Sequence, residues 1–292
     1  MRIAEKLRGS SVCLSCEVFP PKEFTRLSQV KEVVGQIAAL RPAYVSVTYG
    51  AAGNTPHFTR ELSQAVQELQ VPALAHLTCI NDTKSKIRDV LDDLEAARVQ
   101  NVLALRGDIP EGMPFPGSDH FVHASELIEA VKKRGGFCVG AACYPEGHPE
   151  APSRDADLDF LRRKVDAGAD FLTTQMFFDN GILYNFLYRC LQKGISVPVT
   201  AGVMPVVNAR QIPRIVKLSG ATLPPRFAAI IDRFGQNPDA MRQAGVAFAT
   251  EQIIDLIANG VTRIHLYTMN KPDVAKAIFD NLSCILKEET PC

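Results

Sequence analysis

Gly168-Ala169-Asp170-Phe171-Leu172-Thr173-Thr174-Gln175-Met176-Phe177 is the stretch that decides the fold. A glycine at the end of a helical pattern, followed at once by an apolar run, reads as a helix C-terminal cap turning tightly into a strand. The same device recurs at Lys193-Gly194-Ile195 and at Asn259-Gly260-Val261. Working outward, short apolar runs alternate with longer helical patterns along the chain. The predicted strands are Val12 to Phe19, Ala43 to Tyr49, Ala73 to Cys79, Asn101 to Leu105, Phe137 to Cys143, Phe171 to Phe177, Val197 to Val203 and Arg263 to Tyr267. The predicted helices are Leu27 to Leu40, His57 to Leu69, Thr83 to Ala97, Ala124 to Arg134, Asp155 to Ala167, Ile182 to Lys193, Ala209 to Leu218 and Asp273 to Leu286. Eight βα units in series predict a closed parallel (β/α)8 barrel, of the TIM type, over an open doubly wound sheet. Residues 1–292 read as one domain, with an extra helical segment from Ser219 to Asn259 before the eighth strand.

Bulk composition narrows the function classes. Basic and acidic residues balance, 32 against 32, so no electrostatic grip on nucleic acid or on an anionic membrane is expected. The start, Met1-Arg2-Ile3-Ala4-Glu5-Lys6-Leu7, has no apolar signal core, and no run is long enough to span a membrane. A cytoplasmic protein acting on a small molecule is the expectation. Eight scattered cysteines are read as reduced thiols. Cys13 and Cys16 form a CxxC with no second pair, and His120 with His123 lacks an obvious third ligand, so no metal site is expected.

In such a barrel, residues just past the strand ends gather on one face, where barrel enzymes build their sites. Glu17 closes the apolar run Val12 to Cys16 and is followed by Val18-Phe19-Pro20-Pro21. The prolines end the strand there. A carboxyl in greasy surroundings has its charged form disfavoured and its pKa raised, which suits proton transfer near neutrality. The ordinary alternative is an ion pair on the rim. Other strand ends contribute Thr48, Tyr49, Gly50 and Ala51; His76; Arg106-Gly107-Asp108; Tyr144-Pro145-Glu146; Gln175; and Tyr267 to Lys271. No paired nucleophile and no Gly-x-Gly-x-x-Gly after a strand is seen. On the helix after the fifth strand, Asp157, Phe160 and Lys164, with Arg163 beside them, offer an acid and two cations that could cradle a nucleotide.

Several stretches together resemble bacterial-type methylenetetrahydrofolate reductases. They are Ser15-Cys16-Glu17-Val18-Phe19-Pro20-Pro21, Val45 to Ala51, Ala75-His76-Leu77-Thr78-Cys79, Leu105-Arg106-Gly107-Asp108, Tyr144-Pro145-Glu146, Thr174 to Asp179 and His265 to Asn270. The resemblance implies a FAD-dependent barrel that reduces 5,10-methylenetetrahydrofolate to 5-methyltetrahydrofolate in one-carbon metabolism. Glu17 would protonate N10 of the folate, opening its ring to an iminium cation that takes hydride from reduced flavin. Asp108 would stabilise that cation. FAD would be held by Thr48, Tyr49, Ala51, His76, Arg106, Gly107, Asp108, Ala124, Tyr144, His148, Ala151, Asp157, Arg163 and Lys164, and the substrate by Gln175, Tyr267 and Lys271. Lys271 replaces an arginine common in the family.

A second departure concerns the electron source. Where the family usually carries an aromatic residue that packs on nicotinamide or folate, this chain has Ala209. The donor implied is NADH or NADPH, or an electron-supplying partner subunit, and an oligomer is expected. Two other readings remain open on residues alone: a pterin-binding barrel methyltransferase without flavin, and a non-catalytic binding subunit.

Overall fold

A computed structural model describes residues 1–49, 56–109 and 117–288. Its frame is a closed barrel of eight parallel strands in sequential order. They are β1 (Cys13–Val18), β2 (Val45–Val47), β3 (Ala73–Thr78), β4 (Asn101–Leu105), β5 (Cys138–Cys143), β6 (Phe171–Thr174), β7 (Val199–Val203) and β8 (Arg263–Tyr267). Register brings Glu17 of β1 between Ser46 of β2 and Tyr267 of β8, and Ser15 beside His265. Strand alternation then separates the two faces of β1. Cys16 and Val18 are buried in the main apolar cluster with the outer helices, whereas Ser15 meets His265 inside the barrel.

The N-terminal end of the barrel is stoppered by α1 (Ile3–Leu7). Ile3 and Leu7 are fully buried against Tyr44, Leu74, Leu103 and Phe171. Asn101, itself buried, fastens this plug: its side-chain oxygen accepts from the Ile3 amide at 2.8 Å while its amide donates to Ala73 O at 3.0 Å. Above the plug the interior turns polar. Tyr44 stacks on His265 with centroids 5.6 Å apart, where a barrel of this kind ordinarily layers Val, Ile and Leu.

Around the barrel run α2 (Leu27–Ala38), α3 (Pro56–Glu68), α4 (Lys84–Ala96), α5 (Ala124–Arg134), α6 (Arg154–Asp166) and α7 (Asn180–Gln192). Side-chain caps fix several of their starts, as Ser153 does by accepting from the Ala156 amide and Asp179 by accepting from Gly181. After β7 come α8 (Ile212–Ser219), α9 (Pro225–Phe234) and α10 (Pro238–Ala258), and after β8 come α11 (Pro272–Asn281) and α12 (Ile285–Glu288). Here the structure revises the sequence reading. The seventh place in the outer ring belongs to α10, which packs on β7, α7 and α11, and not to the segment from Ala209 to Leu218. That segment is a 3-10 turn (Ala209–Gln211) leading into α8. With α9 it forms a cap with its own apolar core, in which Phe178, Phe227 and Phe248 stack in series.

Candidate active site

The carboxylate of Glu17 lies at the C-terminal end of β1, its side chain 18 % exposed. Its Oε2 stands 3.6 Å from Nε2 of His76 and 3.8 Å from Nε2 of His265. The surroundings are therefore imidazole and hydroxyl, and not the greasy pocket that the flanking apolar residues suggested. The apolar neighbours in sequence point the other way.

The proton positions beneath Glu17 follow from the donors available. Ser15 Oγ donates its one proton to Ile264 O at 3.0 Å, so in its 2.7 Å contact with His265 the ring Nδ1 is the donor. Nε2 then accepts from Ser46 Oγ at 3.1 Å. Ser46 prefers this partner to Glu17 Oε2, which lies at 3.5 Å. No strong donor pins Oε2 among the described residues, which leaves that oxygen available to a substrate.

His76 does not form an ion pair with Glu17. Burial pushes its pKa from 6.5 down to about 4, outweighing the attraction of Glu17, so the ring is neutral at pH 7. Its Nε2 also lacks a hydrogen-bond partner. The folded state binds fewer protons than the unfolded chain between these two values. The resulting stabilisation is complete above about pH 6.5 and is lost as pH falls toward 4. Unfolding free energies of the wild type from denaturant titrations should therefore drop between pH 7 and pH 5 by on the order of 2 kcal/mol more than those of His76→Gln. Parallel pH profiles for the two proteins would remove His76 from the account.

A second group of side chains lies at the ends of β4 and β5. The Arg106 guanidinium holds Glu150 through both nitrogens, at 2.5 and 2.8 Å. Glu150 is itself exposed, so this contact is one that another anion can replace. Tyr144 and His148 meet edge to face at 4.6 Å, and the His148 amide donates to Asp157 at 3.2 Å. Lys164 donates to Ala142 O at 2.9 Å. Burial lowers its pKa, and among the described residues no carboxylate lies within ion-pair distance of it. Burial also raises the Tyr144 hydroxyl to about 12, helped by Asp108 and Asp157.

The remaining predicted residues are placed as follows. Gly107 takes φ 86°, a conformation glycine adopts without strain, and packs against Thr78. Asp108 is exposed beside it, its carbonyl accepting from Asn81. Tyr49 spends its hydroxyl on buried Asp82 at 2.7 Å, and the Thr48 carbonyl accepts from Thr59. Ala124 is buried at the start of α5, and the Ala151 amide bonds His148 O. Arg163 lies over the ring of Phe160, both exposed, whereas Asp157 and Lys164 on the same helix are half-buried. Gln175 Oε1 accepts from the Met176 amide, and the Tyr267 hydroxyl donates to Thr174 O at 2.6 Å. Lys271 opens α11. Ala51 falls outside the described residues.

Sequence reasoning left Ser46, His265 and Glu150 without roles. The first two were reachable by strand parity, since residues level with Glu17 and Ser15 across the ladders are Ser46 and His265. Glu150 carries no such signal, because its partner is 44 residues away in sequence on another loop.

Residues 2–283 match the methylenetetrahydrofolate reductase family. The chain belongs to that family. It is 33 % identical over 270 residues to the 5,10-methylenetetrahydrofolate reductase of Escherichia coli, covering 92 % of this chain and 90 % of the relative. It is 32 % identical over 303 residues to an NADH-type methylenetetrahydrofolate reductase of Arabidopsis thaliana, covering 98 % of this chain. The chain spans about half the length of that plant relative (51 %). Among solved structures, a Clostridium thermocellum protein that binds two copies of 5-methyl-5,6,7,8-tetrahydrofolic acid superposes with a TM-score of 0.66 at 13 % identity, over 98 % of this chain and 99 % of the other. At that identity it speaks for the fold alone. No helix among the described residues is long and apolar enough to cross a membrane.

Proposed function

We propose that this reductase-family chain converts 5,10-methylenetetrahydrofolate to 5-methyltetrahydrofolate with bound FAD. The observation that carries the reading is the Glu17 carboxyl at the barrel mouth, half-enclosed by His76, His265 and Ser46 and, among the described residues, without a strong competing donor. The side chains fit a flavin dinucleotide. Arg106 already grips a carboxylate through a planar fork that suits phosphate equally, and Lys164 is a half-buried cation lacking a carboxylate partner among the described residues. Asp157 would accept from ribose hydroxyls. Bound FAD would supply the hydride chemistry, which side chains alone cannot perform.

The chain's own residues account for the rest. Glu17 gives its proton to N10, and the Asp108 charge stabilises the cation that this creates on the folate. Gln175 has its oxygen committed to the backbone, which leaves its amide nitrogen to donate to the pterin. Tyr267 offers a ring face, its hydroxyl being held by Thr174 O. Ala209 packs beside Gly235 in the cap and presents no ring to a nicotinamide. A partner subunit is therefore the better electron source than free NADH.

Purified full-length protein should be yellow with bound FAD. Under anaerobic conditions 5-methyltetrahydrofolate should bleach that flavin within the mixing time of a few turnovers, and NADH should do so slowly. A colourless protein that takes up no FAD would favour the methyltransferase reading. A flavin untouched by 5-methyltetrahydrofolate would favour a non-catalytic subunit, and fast bleaching by NADH would remove the need for a partner.

A further inference from the structure

We infer that Asn270 is a positioning residue for Glu17, a role that rests on the function proposed above. Immediately after β8 the backbone passes through two consecutive left-handed residues, Met269 at φ 52° and Asn270 at φ 53°. The other described non-glycine residues in this region of backbone space, Arg41, Gln70 and Arg98, are single and follow the ends of α2, α3 and α4. There they serve as ordinary helix terminators. The pair after β8 has no helix to terminate. Asparagine tolerates the conformation, but methionine does so at a cost. Met269 is 38 % exposed, so its own packing does not compensate for that cost.

What the strained turn secures is the segment that carries Glu17. The Phe19 amide donates to Asn270 Oδ1 at 3.0 Å, and Asn270 Nδ2 donates to Phe19 O at 2.9 Å. One side-chain amide thus pairs both backbone groups of Phe19, as a neighbouring strand would, just where Pro20 and Pro21 end β1. Thr268, buried, donates to the Glu17 carbonyl at 2.5 Å and accepts from the Asn270 amide at 3.2 Å. The backbone from the Glu17 carbonyl to Phe19 is therefore held by the turn after β8. Lys271 follows directly, its amide bonded to Thr268 O. The same turn sets the acid and the cation that the family resemblance assigns to the substrate side.

Asn270→Gly is the discriminating variant, because glycine takes φ 53° freely and only the clamp is lost. Three readouts are compared with the wild type in the full-length holoprotein. Amide hydrogen exchange at Phe19 should accelerate. Dithionite reduction of the flavin and the affinity for 5-methyltetrahydrofolate, read from the flavin spectrum, should change less than threefold. The limiting rate at which 5,10-methylenetetrahydrofolate reoxidises the dithionite-reduced flavin should fall on the order of 10- to 100-fold, as expected when an acid is displaced without loss of binding. Thr268→Val should give the same pattern and Thr268→Ser should restore it. An Asn270→Gly protein with the wild-type limiting rate, or one whose folate affinity falls in proportion to its rate, overturns the positioning role. If wild-type flavin never responds to 5-methyltetrahydrofolate, the functional reading fails and the catalytic role with it, while unchanged exchange at Phe19 would separately overturn the clamp.

Discussion

Glu17→Gln should lower folate-dependent turnover by roughly 10³-fold, the middle of the range for loss of a general acid, while flavin reduction by dithionite stays within about twofold of wild type. The amide keeps the size of the side chain and can still meet Ser46 and the two imidazoles, but it has no acidic proton to give. Among the described residues, the other ionisable groups contacting the carboxylate are His76 and His265. His76 is held neutral by burial, so at pH 7 it has no second proton to donate. His265 is 1 % exposed, with its Nδ1 proton committed to Ser15. Neither can replace Glu17 at N10 of a bound folate. The result that would defeat this assignment is a Glu17→Gln protein whose reduced flavin is still reoxidised by 5,10-methylenetetrahydrofolate at a tenth of the wild-type rate or faster. Parallel loss of both half-reactions would point instead to a damaged flavin site.

The elements of the fold that were legible in the sequence are those with sharp punctuation. β4, β8 and α5 begin and end where the sequence pattern does, because glycine turns, Gln100 and the Pro272 helix start leave little room for another boundary. β6 stops at Thr174, although the apolar run continues to Phe178, since Phe177 and Phe178 are buried in helix and cap clusters and not in the ladder. The exchange of roles between α8 and α10 has a similar cause. α10 meets the barrel on one side and α9 on another, so its apolar residues are spread around the axis and give no clean stripe. The short α8 has the stripe that a ring helix is expected to show, and spends it on the cap.

Site legibility divides along the same line. Residues at strand ends, such as Glu17, Arg106 and Gln175, could be grouped from the barrel alone, because parallel strands deliver their C-terminal ends to one face. Groups that act through a cross-strand neighbour were not assigned. Ser46 and His265 each lie inside an apolar run, and a lone polar residue there reads as a satisfied core group until the register is known. Asn270 was quoted within a motif, yet its function depends on pairing with Phe19, 251 residues earlier.

Gly202→Ala should be the most damaging single-methyl change at the site. A Cβ at Gly202 would lie 2.6 Å from Thr174 O, 2.6 Å from a ring carbon of Tyr267 and 2.8 Å from its hydroxyl. The glycine is not needed for its backbone angles, since φ there is not in the left-handed region. It is needed because β6, β7 and β8 converge beneath Tyr267. The Gly202 amide donates to Thr174 Oγ1 at 2.8 Å, and Thr174 O receives the Tyr267 hydroxyl, so each group fixes the next. The added methyl must push Tyr267 out of its place or force β7 away from β6 at the barrel mouth. The expected cost is about 3 kcal/mol, at the upper end for overpacking, and a melting temperature lower by roughly 6–12 °C. Removing the hydroxyl with Tyr267→Phe relieves one of the three contacts but leaves the Thr174 carbonyl, which belongs to the backbone of β6 and has nowhere to go. Gly202→Ala combined with Tyr267→Phe should therefore recover little of the lost stability in thermal melts. Recovery to within about 1 kcal/mol of Tyr267→Phe alone would mean that the ring, and not the closeness of β6 and β7, sets the requirement for glycine.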